Sequence, residues 1–77
     1  MNENIFELRP EDEFIELVKL LKIMQIAQSG GHAKMLIEKG VIYVNGEQEY
    51  RKRRKLRAED EVAYEGRRIE ILKSFSK

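Results

Sequence analysis

The densest chemistry in this sequence is cationic. Arg51, Lys52, Arg53, Arg54 and Lys55 follow one another without a break, and with Arg57 they set six positive charges in the seven positions 51–57. Charges packed this closely repel one another unless something anionic lies opposite, so the segment has the footprint of a polyanion site. A solvated loop is the other reading of such a run, and spacing alone admits both. A second group lies upstream, in Ser29-Gly30-Gly31-His32-Ala33-Lys34. Serine is a favoured helix N-cap, and the two glycines behind it leave the first helical N–H groups unscreened, an arrangement that can hold a phosphate. The same glycines would serve a tight inter-helix turn or close helix packing equally well. His32 and Lys34 would extend the polar surface along that helix.

Other chemistries are poorly supplied. With no cysteine there is no disulfide, no thiolate nucleophile and no Cys-based zinc site, and a single histidine does not build a metal site by itself. The acids Glu11, Asp12, Glu13, Glu59, Asp60 and Glu61 fall in an expected first helical turn and a loop. None has a His, Ser or Lys at a spacing that suggests a shared pocket. No catalysis, metal or cofactor is expected.

A chain of 77 residues makes one domain with a small core. At this size roughly 60–65% of the unfolded surface is buried on folding. No apolar run reaches the roughly 18 residues of a transmembrane helix, and the N-terminus is acidic where an export signal would be basic. A cytoplasmic, monomeric protein without membrane contact is the expectation. The net charge of +1 conceals an asymmetry: outside 51–57, nine basic residues face fourteen acidic ones, a balance of −5.

These groups need elements to position them. Asn4 to Leu8 reads as a short edge strand ended by Pro10. Phe14, Leu17, Val18 and Leu21 fall at i, i+3, i+4 and i+7, predicting an amphipathic helix over about 11–22, with Pro10 and Glu11 to Glu13 in its first turn. Ile23 to Gln28 lacks a clear period, and its apolar residues Ile23, Met24 and Ile26 would pack beneath a turn between the helices. A second helix over about 30–39 points Ala33, Leu36 and Ile37 inward and stops at Gly40. Val41 to Val44 and Glu47 to Tyr50 form a hairpin about Asn45-Gly46. Leu56 anchors the basic segment, Glu59 to Glu61 turn, Val62 and Tyr64 lie on one strand and Ile69 and Ile71 on the last. The tail, 73–77, is expected to fray. The sum is an α+β domain in which two short helices pack on a twisted antiparallel sheet of four to five short strands. That packing would bring the start of the second helix near the basic segment.

The pattern Ala33-x-x-Leu36-Ile37-x-x-Gly40-x-x-x-Val44-Asn45-Gly46, followed by basic residues, Leu56 and Glu59-Asp60-Glu61-Val62, resembles the S4 RNA-binding domain. The likeness covers about 14–71. Leu20 to Ile23, Ser29 to Lys34 and Arg51 to Leu56 look like the stand-alone bacterial S4-like proteins. The resemblance implies the small αL-type fold, no catalytic activity, and a basic face for structured RNA such as rRNA or tRNA, on the ribosome or free. Its members would be Gly30, Gly31, His32, Lys34, Arg51, Lys52, Arg53, Arg54 and Lys55. Two positions depart from the family: Gly30 stands where an Arg or Lys is common, and Glu59-Asp60 where Gly-Asp is usual. A protein-interaction or ribosome-associated adaptor using the same basic segment is the alternative reading, and DNA binding through the helices a third.

Overall fold

The computed structural model describes residues 4–74. In chain order its elements are β1 (Ile5–Leu8), β2 (Ile15–Glu16), α1 (Leu17–Ile23), α2 (Gly30–Glu38), β3 (Tyr43–Val44), β4 (Glu47–Gln48), β5 (Lys55–Leu56), β6 (Glu61–Tyr64) and β7 (Arg67–Lys73). Five strands form one sheet in the order β1-β7-β6-β3-β4, while β2 and β5 make a separate two-stranded ladder. Strand alternation puts Val44, Val62, Ile69 and Ile71 on the face that the helices cover, and all four are buried. Against them pack Leu17, Leu20 and Leu21 of α1 and Ala33, Leu36 and Ile37 of α2, completing a single core.

The expected α+β class holds. The central hairpins are antiparallel, but β1 joins β7 in parallel, with Ile5 opposite Glu70 and Leu8 opposite Lys73, so the sheet is mixed. A parallel neighbour needs a long connection. Here the whole of the domain lies between the two strands. Lys73 belongs to β7 rather than to a frayed tail, the Ser74 N–H donates to the Leu8 carbonyl at 2.8 Å, and the rest of that expectation, 75–77, lies outside the described residues.

The first helix is shorter than its apolar period predicts, beginning at Leu17 and not near residue 11. Pro10 opens a turn instead: the Asp12 N–H donates to the Arg9 carbonyl at 2.9 Å, and Arg9 Nε reaches the Asp12 carboxylate at 2.9 Å. Lys73 then ties down the Asp12 carbonyl at 2.7 Å. Ile15 leaves the helical register to pair with Leu56 across β2 and β5.

Gly40 ends α2 as expected, with φ of +77°, and it has a second reason to be glycine. A Cβ there would lie 2.7 Å from the Tyr50 hydroxyl and 3.0 Å from Gln48 Nε2, which itself donates to the Gly40 carbonyl at 2.8 Å. Asn45 and Gly46, with φ of 54° and 86°, take the two positive angles of the hairpin turn that matches strand twist. Glu65 and Gly66 repeat the device between β6 and β7. Among the described residues no helix is long and apolar enough to cross a membrane.

Candidate nucleic-acid interface

The basic segment is a docked loop. Helix α1 has no side-chain cap at Glu16, so its first amides need other acceptors. They find them in the loop: the Leu17 N–H donates to the Arg54 carbonyl at 2.9 Å and the Val18 N–H to the Lys52 carbonyl at 3.1 Å. Directly after it, Leu56 is fully buried and paired to β2. With the main chain fixed at both ends, Arg51, Arg53, Arg54 and Lys55 line one open concavity of about 520 Å³.

The charges in that loop have anions opposite them, supplied by the chain itself. Glu49 accepts from the Arg51 main-chain N–H at 3.0 Å, from Arg51 Nε at 2.9 Å and Nη2 at 3.1 Å, and from Arg54 Nη1 at 2.6 Å. Lys52 pairs with Glu38 at 2.8 Å and Arg53 with Glu16 at 3.3 Å. Lys55 and Arg57 lie over the Phe14 ring, 5.0 and 5.7 Å from its centroid. Phe14 is therefore a platform for two cations and not a core residue of α1. Six cations against three acids leave an excess of +3 on this face, and the pairs with Glu38 and Glu16 are solvent-facing contacts that an incoming anion could exchange.

Hydrogen bonds from Arg51 hold the Glu49 carboxyl at about 2, with Arg54 adding to the shift and burial opposing it. A carboxyl whose folded value is depressed stabilises the fold above its unfolded value, and loses that contribution as pH falls through the folded one. Melting temperature should therefore drop between about pH 4.5 and pH 2, and the component due to this residue should vanish in Glu49→Gln. A series of thermal melts over that range checks both. Glu38 is likewise held below the usual carboxylate range by the Lys52 hydrogen bond, and the Arg51 guanidinium is raised by its bond to Glu49.

The start of α2 is built differently. Ser29 Oγ accepts from the His32 N–H at 3.1 Å, the N-cap expected from its position. His32 returns the contact: its Nδ1 accepts from the Gln28 N–H at 3.1 Å, so part of its role is capping. A Cβ on Gly30 would meet nothing within 4 Å and one on Gly31 only Ser29 Oγ, so neither glycine is there for close packing. Lys34 is exposed on the same helix.

These two groups do not converge. Lys52 meets α2 at Glu38, the end opposite Gly30, and eight residues of helix put about 12 Å between those ends. Lys34, one helical turn before Glu38, lies between those ends on the same side of α2. The sequence reading missed Glu49, Glu38, Glu16 and Phe14. An acid two residues before a basic run was the one visible hint, and nothing local marked the other three. Tyr50, 55% exposed, stands against Gly40 beside the loop, and Tyr43 is also exposed.

The departure at Glu59 has a structural reading. Glu59 has φ of +77°, the left-handed region in which glycine is at ease, so the turn keeps its shape with a costlier residue. Asp60 holds that turn by accepting from the Arg57 N–H at 2.8 Å and from Asn45 Nδ2 at 3.0 Å, while Asn45 Oδ1 accepts from the Glu61 N–H.

Set beside known proteins, the chain matches the S4 domain over residues 7–72. It is 36% identical over 58 residues to YbcJ of Escherichia coli (strain K12), covering 75% of this chain and 83% of that one, and the same figures hold for YbcJ of Shigella flexneri. The solution structure of E. coli YbcJ, described as revealing an αL motif involved in RNA binding, superposes with a TM-score of 0.69 at 33% identity, covering 94% of this chain and 90% of that one. A family match running from within β1 to within β7 and spanning both helices, with the fold to go with it, makes this chain a member of the S4 domain family.

Proposed function

We propose that this protein is a non-catalytic RNA-binding module that holds structured RNA, rRNA or tRNA, on the face formed by Arg51, Lys52, Arg53, Arg54 and Lys55, with Gly30, Gly31, His32 and Lys34 as an outlying second point. The observation that carries the proposal is the docked loop: four cationic side chains surround one concavity, on a main chain whose carbonyls cap α1. Membership of the S4 domain family supports it, as does the RNA-binding motif described for YbcJ.

The chemistry of such a face is phosphate contact. Each guanidinium or ammonium replaces a condensed counterion on the RNA, and the release of those ions drives binding. A-form RNA keeps its major-groove base edges in a groove too narrow for side chains, so a rigid basic loop reads backbone shape and 2′-OH groups more than sequence. The open amides of Gly30 and Gly31, about 12 Å away along α2, suit a second phosphate across the groove. Tyr50 is exposed beside the loop and offers a ring to an unpaired base.

Fluorescence titration of a structured RNA between 50 and 300 mM salt should give a log–log slope of about −2 to −4, the value for three to five phosphate contacts. A flat slope, or no binding at the lowest salt, would sink the proposal. Competition with duplex DNA should leave RNA the tighter ligand. A partner protein that stays bound to the loop after RNase treatment would favour the adaptor reading instead.

A further inference from the structure

Among the described residues Glu49 is the one buried charged side chain, 7% exposed, and it lies at the base of a face whose expected ligand is itself anionic. An acid there weakens phosphate binding by simple Coulomb repulsion, and burying it carries a desolvation cost that apolar packing would avoid. The loop has other holds besides it. The Arg54 and Lys52 carbonyls are already bonded to α1, and Leu56 is already buried. What Glu49 adds is direction: two oxygens engage Nε and Nη2 of Arg51 and Nη1 of Arg54, four distances between 2.6 and 3.1 Å with the main-chain N–H included.

An arginine has five N–H donors in a rigid plane. Arg51 spends two of them on Glu49 and keeps three, and Arg54 spends one and keeps four, so both remain able to grip a phosphate. Without that partner each guanidinium would sample many rotamers, and ordering one on binding costs conformational entropy.

We propose that Glu49 is the positioning residue of the RNA face, fixing the planes of Arg51 and Arg54 before the ligand arrives so that their remaining N–H groups meet adjacent phosphate oxygens. This rests on the RNA-binding reading above. Charge and geometry then predict opposite signs for one substitution. Glu49→Gln raises the net charge by one, which by electrostatics alone strengthens RNA binding. Loss of positioning weakens it.

The test compares a structured RNA in 0.1 M salt against wild type, Glu49→Gln, Glu49→Asp and Glu38→Gln, each checked for folding by circular dichroism. Glu49→Gln should bind about 5–10-fold more weakly in spite of its added charge, with a salt slope shallower by about one phosphate contact. Glu49→Asp keeps the net charge and withdraws the carboxylate by one methylene, and it should also weaken binding. Glu38→Gln, which frees Lys52 from an exposed pair, should bind as tightly as wild type or more so. Folded Glu49 variants that bind as well as wild type would overturn the proposal, and so would an equal loss in Glu38→Gln. If neither Glu49 variant folds, the Arg51 Nε–H resonance of the wild-type protein decides: it should stay protected from exchange both free and RNA-bound, and exposure on binding overturns the proposal. A wild type that binds no RNA at all defeats the underlying reading, an outcome distinct from these.

Discussion

Reversing Arg53 and Lys55 together to Glu should lower affinity for structured RNA by about 10²–10³-fold while leaving the domain folded. Both side chains line the concavity, and Arg53 is among the most open cations of the protein, with 82% of its side chain exposed. A charge-assisted hydrogen bond contributes about 1.5–3 kcal/mol, so two lost contacts amount to about 3–4 kcal/mol at the lower end, before the repulsion of the new carboxylates. The fold loses far less. Arg53 gives up an exposed pair with Glu16, worth about 0–1 kcal/mol, and Lys55 a contact over the Phe14 ring worth about 0.5–1 kcal/mol. Reversal of Lys22 and Arg68 changes the net charge equally at two exposed positions outside the concavity. That control should cost less than about tenfold at 0.1 M salt, where the Debye length is about 10 Å. If both double variants lose affinity alike, RNA is attracted by overall charge and the loop has no special place.

The contrast between the loop and its surroundings explains what the sequence could and could not reveal. Ser29 caps α2 with its own hydroxyl; Gly40, Asn45-Gly46 and Glu65-Gly66 act through their own backbones, and each stands where its local chemistry predicts. Leu56 was legible too, as the lone apolar residue in a charge run. The start of α1 was not, because Pro10 to Glu13 meet every local requirement of a helical first turn. Two contacts from distant sequence decide it instead: the ladder of Ile15 with Leu56, and the Lys73 bond to the Asp12 carbonyl. The acids that answer the basic run come from the residue after β4, the last turn of α2 and the residue before α1. Only the tertiary fold gathers them, and periodicity along one segment carries no trace of that gathering.

That gathering also changes what the charge run means. Read as sequence, six cations in seven positions demand an external anion. In the fold three carboxylates meet part of that demand. On the proposed reading an RNA phosphate would compete with Glu38 and Glu16 for Lys52 and Arg53, and Glu49 would stay beneath Arg51 and Arg54. A face of this kind trades some affinity for a fixed geometry, which suits a ligand recognised by backbone shape.

Leu56→Ala should be strongly destabilising, and its effect on RNA binding tests how the loop is held. Leu56 is fully buried in the core beside Ile15, so truncation leaves a cavity and costs about 2–5 kcal/mol. A domain of this length has only about 4–12 kcal/mol in all. The melting temperature should fall by about 10–30 °C, read by circular dichroism. Val62→Ala removes packing from an equally buried site on β6 that does not adjoin the loop, and it serves as the reference. At 10 °C, with both variants folded, Leu56→Ala should bind RNA several-fold more weakly than Val62→Ala, because the C-terminal end of the loop has lost its anchor. Equal affinities would assign the loop's rigidity to the amides of Leu17 and Val18, whose bonds to Arg54 and Lys52 hold its other end.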